Sequence, residues 1–238
     1  MKSAQALSRL HILSGGAAKG LVEAMQGGFS AATGCAIDAT YSAVGAMRDA
    51  LVAGAPCDIA ILTDVLIDAL AAESRVDAST ATRLGAVPTA VAVRQGDARP
   101  DVSSGEALRA VLLDAPAVLV PDTERSTAGI HVLRVLCGLG IDAQMQTRLR
   151  TYPNGATAMR ELARANAGAI GITQASEIIA TAGVELVGEL PEGFRLAAVY
   201  TAAVCTDALE GALSRRFVAL LGSAAAALAR ERAGFVNA

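Results

Sequence analysis

His11-Ile12-Leu13-Ser14-Gly15-Gly16-Ala17-Ala18-Lys19-Gly20-Leu21-Val22-Glu23-Ala24-Met25 is the stretch on which the fold turns. A short apolar run stops at Ser14-Gly15-Gly16, and Leu21, Met25 and Phe29 then recur at helical spacing. The order is strand, tight glycine turn, helix. The next segment repeats it. Cys35 to Tyr41 reads as a strand, Ser42-Ala43-Val44-Gly45 as a turn, and Ala46 to Ala53 as a helix with Met47 and Leu51 on one face, closed by Gly54 and Pro56. Asp58-Ile59-Ala60-Ile61-Leu62 is continuously apolar after its acid, as a parallel strand covered on both faces requires.

Working outward, the alternation continues. A helix is expected over Val65 to Glu73, a long strand over Ala86 to Arg94, and a helix over Gly105 to Leu113. Ala117 to Val120 and Ala169 to Thr173 read as strands, Ile130 to Leu139 and Ala158 to Ala163 as helices, and Phe194 to Val204 as a second long strand. Two helices, Asp207 to Leu221 and Ser223 to Arg232, finish the chain. Strands alternating with helices give an α/β fold with mostly parallel sheets flanked by helices. The two long strands are placed to carry the chain from one lobe to another and back. One lobe is expected from residues 1–88 and 199–238, the other from 89–198, with a ligand cleft between them.

Composition narrows the function. Among 238 residues, 20 Lys and Arg stand against 23 Asp and Glu, a net charge of −3, and the one adjacent basic pair is Arg215-Arg216. Phosphate neutralisation needs a basic surplus or stripe, so nucleic acid is not an expected partner. The apolar fraction of 53% supplies a core, yet no window holds the roughly 18 consecutive apolar residues of a membrane span. Residues 1–10 show no apolar leader core, so a cytoplasmic place is expected, or a periplasmic one if a signal has been removed. Cys35, Cys57, Cys137 and Cys205 form no C-x-x-C pair and read as buried free thiols. Neither a metal nor a cofactor is implied, since two histidines and scattered acids make no ligand cluster.

Four turns could cradle an anion: Ser14 to Lys19, Ser42 to Gly45, Ser126-Thr127-Ala128-Gly129, and Asn154-Gly155-Ala156-Thr157. Each puts small residues and hydroxyl or amide groups at an expected helix start, where free N–H groups and the helix dipole attract negative charge. Each is equally an ordinary N-cap. Neither a G-x-x-x-x-G-K-[ST] loop nor a full G-x-G-x-x-G spacing is present, which argues against ATP and dinucleotides. Lys19, one turn into the first helix, is read as a charge partner for a carboxylate or as a solvated lysine. Arg125 is read as a carboxylate fork or a loop cation. His131 is read as a cleft proton carrier, its ordinary pKa being about 6.5, or as a packed helix histidine.

Leu13 to Leu21, Ala53-Gly54-Ala55-Pro56-Cys57-Asp58-Ile59, Ala128-Gly129-Ile130-His131 and Gly168-Ala169-Ile170-Gly171-Ile172 resemble the molybdate-binding protein family of ABC transporters, over about residues 10 to 235. The resemblance implies a type II periplasmic-binding-protein fold in which two serine hydroxyls, backbone N–H groups and a tyrosine hold an oxyanion between two lobes. By position the serines fall on Ala17 and near Val44-Gly45, and the tyrosine on Gln174, so all three differ. Each lost hydroxyl removes a bond worth about 1.5–3 kcal/mol to a charged partner. The expected ligand is therefore a small organic anion, a di- or tricarboxylate, more than molybdate. Expected contacts are Gly16, Ala17, Lys19, Ser42, Gly45, Arg125, Ser126, Thr127, Ala128, Asn154, Ala156 and Gln174. An ABC permease is the implied partner of an exported protein. The resemblance includes an enzymatic branch, the aconitate isomerases, which implies an alternative: a cytoplasmic isomerase moving a proton on a polycarboxylate, with Lys19 or His131 as base.

Overall fold

The structure is a computed structural model and describes residues 8–237. The reading of the first residues as leaderless, and the outermost ends of the first lobe, fall on residues 1–7 and 238, outside the described residues. In chain order the elements are β1 (Arg9–Gly15), α1 (Lys19–Thr33), β2 (Ala36–Ser42), α2 (Val44–Val52), β3 (Ile59–Thr63), α3 (Asp64–Ala72), β4 (Thr82–Arg94), α4 (Gly105–Asp114) and β5 (Val118–Pro121). They continue with α5 (Thr127–Gly138), α6 (Asp142–Met145), β6 (Leu149–Tyr152), α7 (Gly155–Leu162), β7 (Ile170–Gln174), α8 (Ala175–Ile179), β8 (Val184–Glu189), β9 (Ala197–Val204), α9 (Gly211–Gly222) and α10 (Ala227–Arg232).

The strands form one mixed sheet in the order β2-β1-β3-β9-β4-β7-β5-β6, with β8 also paired to β4. Each end is a parallel run, β2-β1-β3 and β7-β5-β6. The middle is antiparallel, because β4 and β9 run the chain across the molecule and back. β4 is the hinge of this plan: Thr82 to Pro88 pair with β9, and from Thr89 onward the strand pairs with β7. Side chains alternate along it, so that Ala90 and Ala92 enter one apolar cluster while Val91 and Val93 enter the other.

The first cluster is built by Leu10, Ile12, Ile59 and Ile61 with Phe217 of α9, whose ring meets Phe29 edge-on at 4.9 Å. The second joins Val118, Val120, Ile170 and Ile172 to Leu108, Leu112, Val132 and Leu136. All five residues of β3 are buried, as the continuous apolar run requires. Asp58, at the end of the Ala53-to-Asp58 step, is 2% exposed and works as a brace. Its carboxylate accepts from the N–H groups of His11 and Leu209, both at 2.8 Å, and so ties β1 to the approach of α9.

Among the described residues no single helix is long and apolar enough to cross a membrane; α9 and the helical segment after it reach that length and apolarity only together, across a 60° bend, and Phe217, Val218 and Leu221 of α9 are packed into the core. The cysteine expectation needs correcting in two places. All four thiols are free, but Cys137 is exposed on α5 and Cys57 is half-buried, its sulfur 3.3 Å from that of the buried Cys205 because the antiparallel β3–β9 pairing brings their neighbourhoods together.

Candidate functional site

Five strand-to-helix junctions and one strand end on a single small cavity. Its wall is made by Gly16 and Ala17 before α1, Ser42 and Ala43 before α2 with Val44 as its first residue, Ser126, Thr127 and Ala128 at α5, Gly155 at α7, Gln174 and Glu177 at α8, and Tyr200 of β9. The helix starts are of two kinds. At α5 and α7 the capping side chain closes the turn: Ser126 Oγ accepts from Gly129 N–H at 3.5 Å and Asn154 Oδ1 from Thr157 N–H at 2.8 Å. At α1 and α2 the capping positions are alanines, Ala18 and Ala43, with no side-chain bond to the helix. Lys19 N–H turns back to Gly16 C=O and Gly45 N–H goes to Arg125 C=O, so at these two starts the N–H groups left to a ligand are those of Gly16 and Ala17 ahead of α1 and of Val44 at α2.

Glu177 dominates the cavity. Its side chain is carried by α8 and is buried, and Thr173 Oγ1 donates to Oε2 at 2.6 Å. Burial raises its pKa above the ordinary 4.5; against burial act Thr173 and the N–H groups of Ala156, Gly155 and Gln174, which favour the ionised form. Both neighbouring glycines are required by contact, since a Cβ on Gly16 would overlap Oε1 and one on Gly155 would overlap Oε2 and Thr173 Oγ1. Tyr200 packs beside Gly15, and burial, followed by the Glu177 charge, raises its pKa, so the phenol keeps its proton. Gln174 is 3% exposed, and neither its amide nitrogen nor its oxygen has a partner. A buried polar group left so costs about 1–3 kcal/mol, and this one lines the cavity.

The cavity itself is small, about 10 Å³, the space of one water molecule. It adjoins a chamber of about 680 Å³ that shares Val44 and Thr127 as wall. The chamber carries Arg48, Arg125, Arg134 and His131 against Asp49, Asp64 and Glu124, with apolar surface from Val65, Leu66, Ile130 and Leu196. Arg48 is drawn toward Asp49 at 3.1 Å, whereas among the described residues Arg125 and Arg134 have no ion pair. A backbone bond closes the space between the halves: Gly45 N–H donates to Arg125 C=O at 3.1 Å.

Of the residues singled out from sequence, Gly16, Ala17, Ser42, Ser126, Thr127, Ala128 and Gln174 meet at the small cavity. Gly45, Arg125 and His131 line the chamber, as does Thr127. Ala156 faces Glu177 through its N–H. Two are placed otherwise. Lys19 lines neither space and lies 3.7 Å from Glu23, one helical turn on, because the first turn of α1 directs its long side chain outward. Asn154 spends its amide oxygen on capping α7, accepting also from Thr157 Oγ1 at 2.9 Å. His131 Nε2 is held to Phe194 C=O at 2.7 Å, which requires the proton on that nitrogen.

Glu177, Tyr200, Arg48 and Arg134 were not found from sequence. For Glu177 a signal exists: it is the sole charged residue between Arg164 and Glu185, set in Ile172-Thr173-Gln174-Ala175-Ser176-Glu177-Ile178-Ile179 just after a buried strand. A lone charge in an apolar run needs a partner or a purpose.

Residues 10–236 match the family of bacterial extracellular solute-binding proteins. The chain belongs to that family. An aconitate isomerase from a Pseudomonas species is 28% identical over 241 residues, 98% of this chain and 89% of that protein. The fold is shared with the periplasmic molybdate-binding protein of Azotobacter vinelandii, at a TM-score of 0.80 and 19% identity, covering 96% of this chain and 99% of that one. It is shared too with the sulfate-binding protein SubI of Mycobacterium tuberculosis, at 0.75 and 17%, covering 96% and 86%. This solute-binding protein thus has the type II periplasmic-binding-protein architecture. The expected cytoplasmic place is overturned, because the family is one of extracellular proteins and its fold neighbours include periplasmic ones. That expectation rested on the first ten residues, where a short polar stretch carries little information about the compartment.

Proposed function

We propose that this solute-binding protein takes a small organic polycarboxylate, with its body in the 680 Å³ chamber and one carboxylate directed at the helix starts of the small cavity. The observation that carries this reading is the occupancy of the cradle by the chain itself. N–H groups of Gly155, Ala156 and Gln174, of the kind that would surround a tetrahedral oxyanion, are turned to the Glu177 carboxyl. What remains for a ligand is the α1 and α2 starts, Ser42, Thr127, the unpartnered Gln174 amide and, in the chamber, Arg125 and Arg134. Those groups are divided between two adjoining spaces, one of about 10 Å³ and one of about 680 Å³, and a chain with two or three carboxylates can engage both. Calorimetric titration with molybdate, sulfate and a panel of di- and tricarboxylates tests the reading. Carboxylate binding at least tenfold tighter than molybdate is expected; tight molybdate binding with silent carboxylates overturns it.

A second reading is supported by the aconitate isomerase relative, whose similarity covers 98% of this chain. On that reading the bound polycarboxylate is isomerised in the same cleft by movement of one proton. Interconversion of trans- and cis-aconitate, followed by absorbance or NMR, is its direct assay, and binding without interconversion removes it.

A further inference from the structure

The isomerase reading leaves open which group moves the proton, and the geometry answers differently from the sequence. Lys19 lies outside both spaces, and His131 sits in the chamber with Nε2 fixed on a carbonyl. In the wall of the small cavity the titratable side chains are Glu177 and Tyr200 alone. Tyr200 is held neutral by its surroundings and is a donor, not a base near neutral pH. Glu177 differs because its environment supports both of its states. Burial with no cation in the wall favours the acid, and Thr173 with three backbone N–H groups favours the carboxylate. A carboxyl poised between two states is what general acid–base work needs.

We propose, resting on the isomerase reading, that Glu177 is the catalytic residue that carries the proton in a 1,3-shift on an allylic polycarboxylate seated at the Val44–Thr127 junction. In the step, ionised Glu177 takes a proton from a methylene carbon that lies between a carboxylate and a C=C bond. The C–H electron pair becomes the new C=C bond, and the electrons of the old one move to its far carbon. That carbon takes the same proton back from the Glu177 carboxyl. Carbon, oxygen and hydrogen are conserved, the carboxylate is regenerated, and neither an oxidant nor a cofactor is needed. Charge that builds up on the substrate carboxylates is met by the N–H groups at the α1 and α2 starts and by the Gln174 amide, the buried group that otherwise has no partner.

The test is NMR of trans- and cis-aconitate with the protein in D2O, beside calorimetric binding of the same two compounds. Wild type is expected to interconvert them with most of the transferred hydrogen retained, deuterium entering the methylene only as fast as the Glu177 carboxyl exchanges with solvent before it returns the proton. E177Q is expected to bind within about threefold of wild type and to turn over at least about 100-fold more slowly, the scale of a lost general base. E177D, which withdraws the carboxyl by one methylene, should keep a slow, pH-dependent rate; it serves as the test if E177Q fails to fold by circular dichroism. Turnover by E177Q at the wild-type rate, or by E177D with an unchanged rate and pH profile, overturns the assignment. Wild-type binding without interconversion or exchange overturns this inference and leaves the carboxylate-binding reading standing. Failure of either compound and of the wider carboxylate panel to bind overturns both.

Discussion

The small cavity and the chamber beside it share two wall residues and little else. The chamber is open, roomy and nearly balanced in charge, with three arginines against three acids. The small cavity is enclosed and almost filled by side chains, and it holds an acid and an amide whose needs the protein meets only in part. Room for a ligand and groups under tension are thus supplied by different parts of the cleft. On the proposed reading, specificity for ligand size belongs to the chamber and proton transfer to the cavity.

Substitutions can be aimed at this division. The largest effect is expected from Gly155→Ala, whose new methyl group collides with Glu177 and Thr173. Overpacking of this kind costs about 1–3 kcal/mol. In a chain of this size that lowers Tm by roughly 2–12 °C, at about 2–4 °C per kcal/mol. Gly27→Ala, on the exposed face of α1 with nothing within 4 Å, is the control and should raise Tm slightly. If both behave alike in thermal melts, the cavity is not tightly packed. Next comes Gln174→Leu, which removes the unpartnered amide. It should stabilise the unliganded protein by about 1 kcal/mol and weaken carboxylate binding by about tenfold in calorimetry. Loss of stability with intact binding would mean that the amide serves the fold and not the ligand.

The pH dependence separates the regions further. Glu177 has a folded-state pKa above its ordinary 4.5. Below that pH both folded and unfolded chains hold the proton. As the pH rises past it, the unfolded chain releases its proton first. The folded state then binds more protons, and stability falls until the folded group's own pKa is passed. Melting curves from pH 4 upward should therefore decline more steeply for wild type than for E177Q, and parallel curves would contradict the burial argument. The smallest effect belongs to Lys19→Ala. Its exposed contact with Glu23 predicts a stability change within about 0.5 kcal/mol and unchanged ligand affinity. A tenfold loss of affinity would return Lys19 to the cleft.

The fold was legible in the sequence wherever periodicity and turn residues agreed. The unit β1–turn–α1, the buried run of β3, and the helix starts at Ser126 and Asn154 all fall where spacing and capping chemistry put them. The short elements β6, α6, α8 and β8 were missed, since four to six residues hold too few periods to register. That loss mattered at the site. Glu177 rides on the five-residue helix α8, and its partners Thr173 and Gly155 come from β7 and the start of α7. Small residues at helix starts marked out most of the cavity wall, because cradle chemistry depends on local sequence. Which side chains turn into it depends on pairing across the sheet, as with Tyr200, whose strand is contributed from the far end of the chain.

The most direct check is a crystal structure with a tricarboxylate bound. The account predicts density for the ligand across the Val44–Thr127 junction, with one carboxylate within hydrogen-bond distance of the Gln174 amide and another near Arg125 or Arg134. A ligand seated elsewhere, or a tetrahedral oxyanion taking the place of a displaced Glu177 carboxyl, would contradict it.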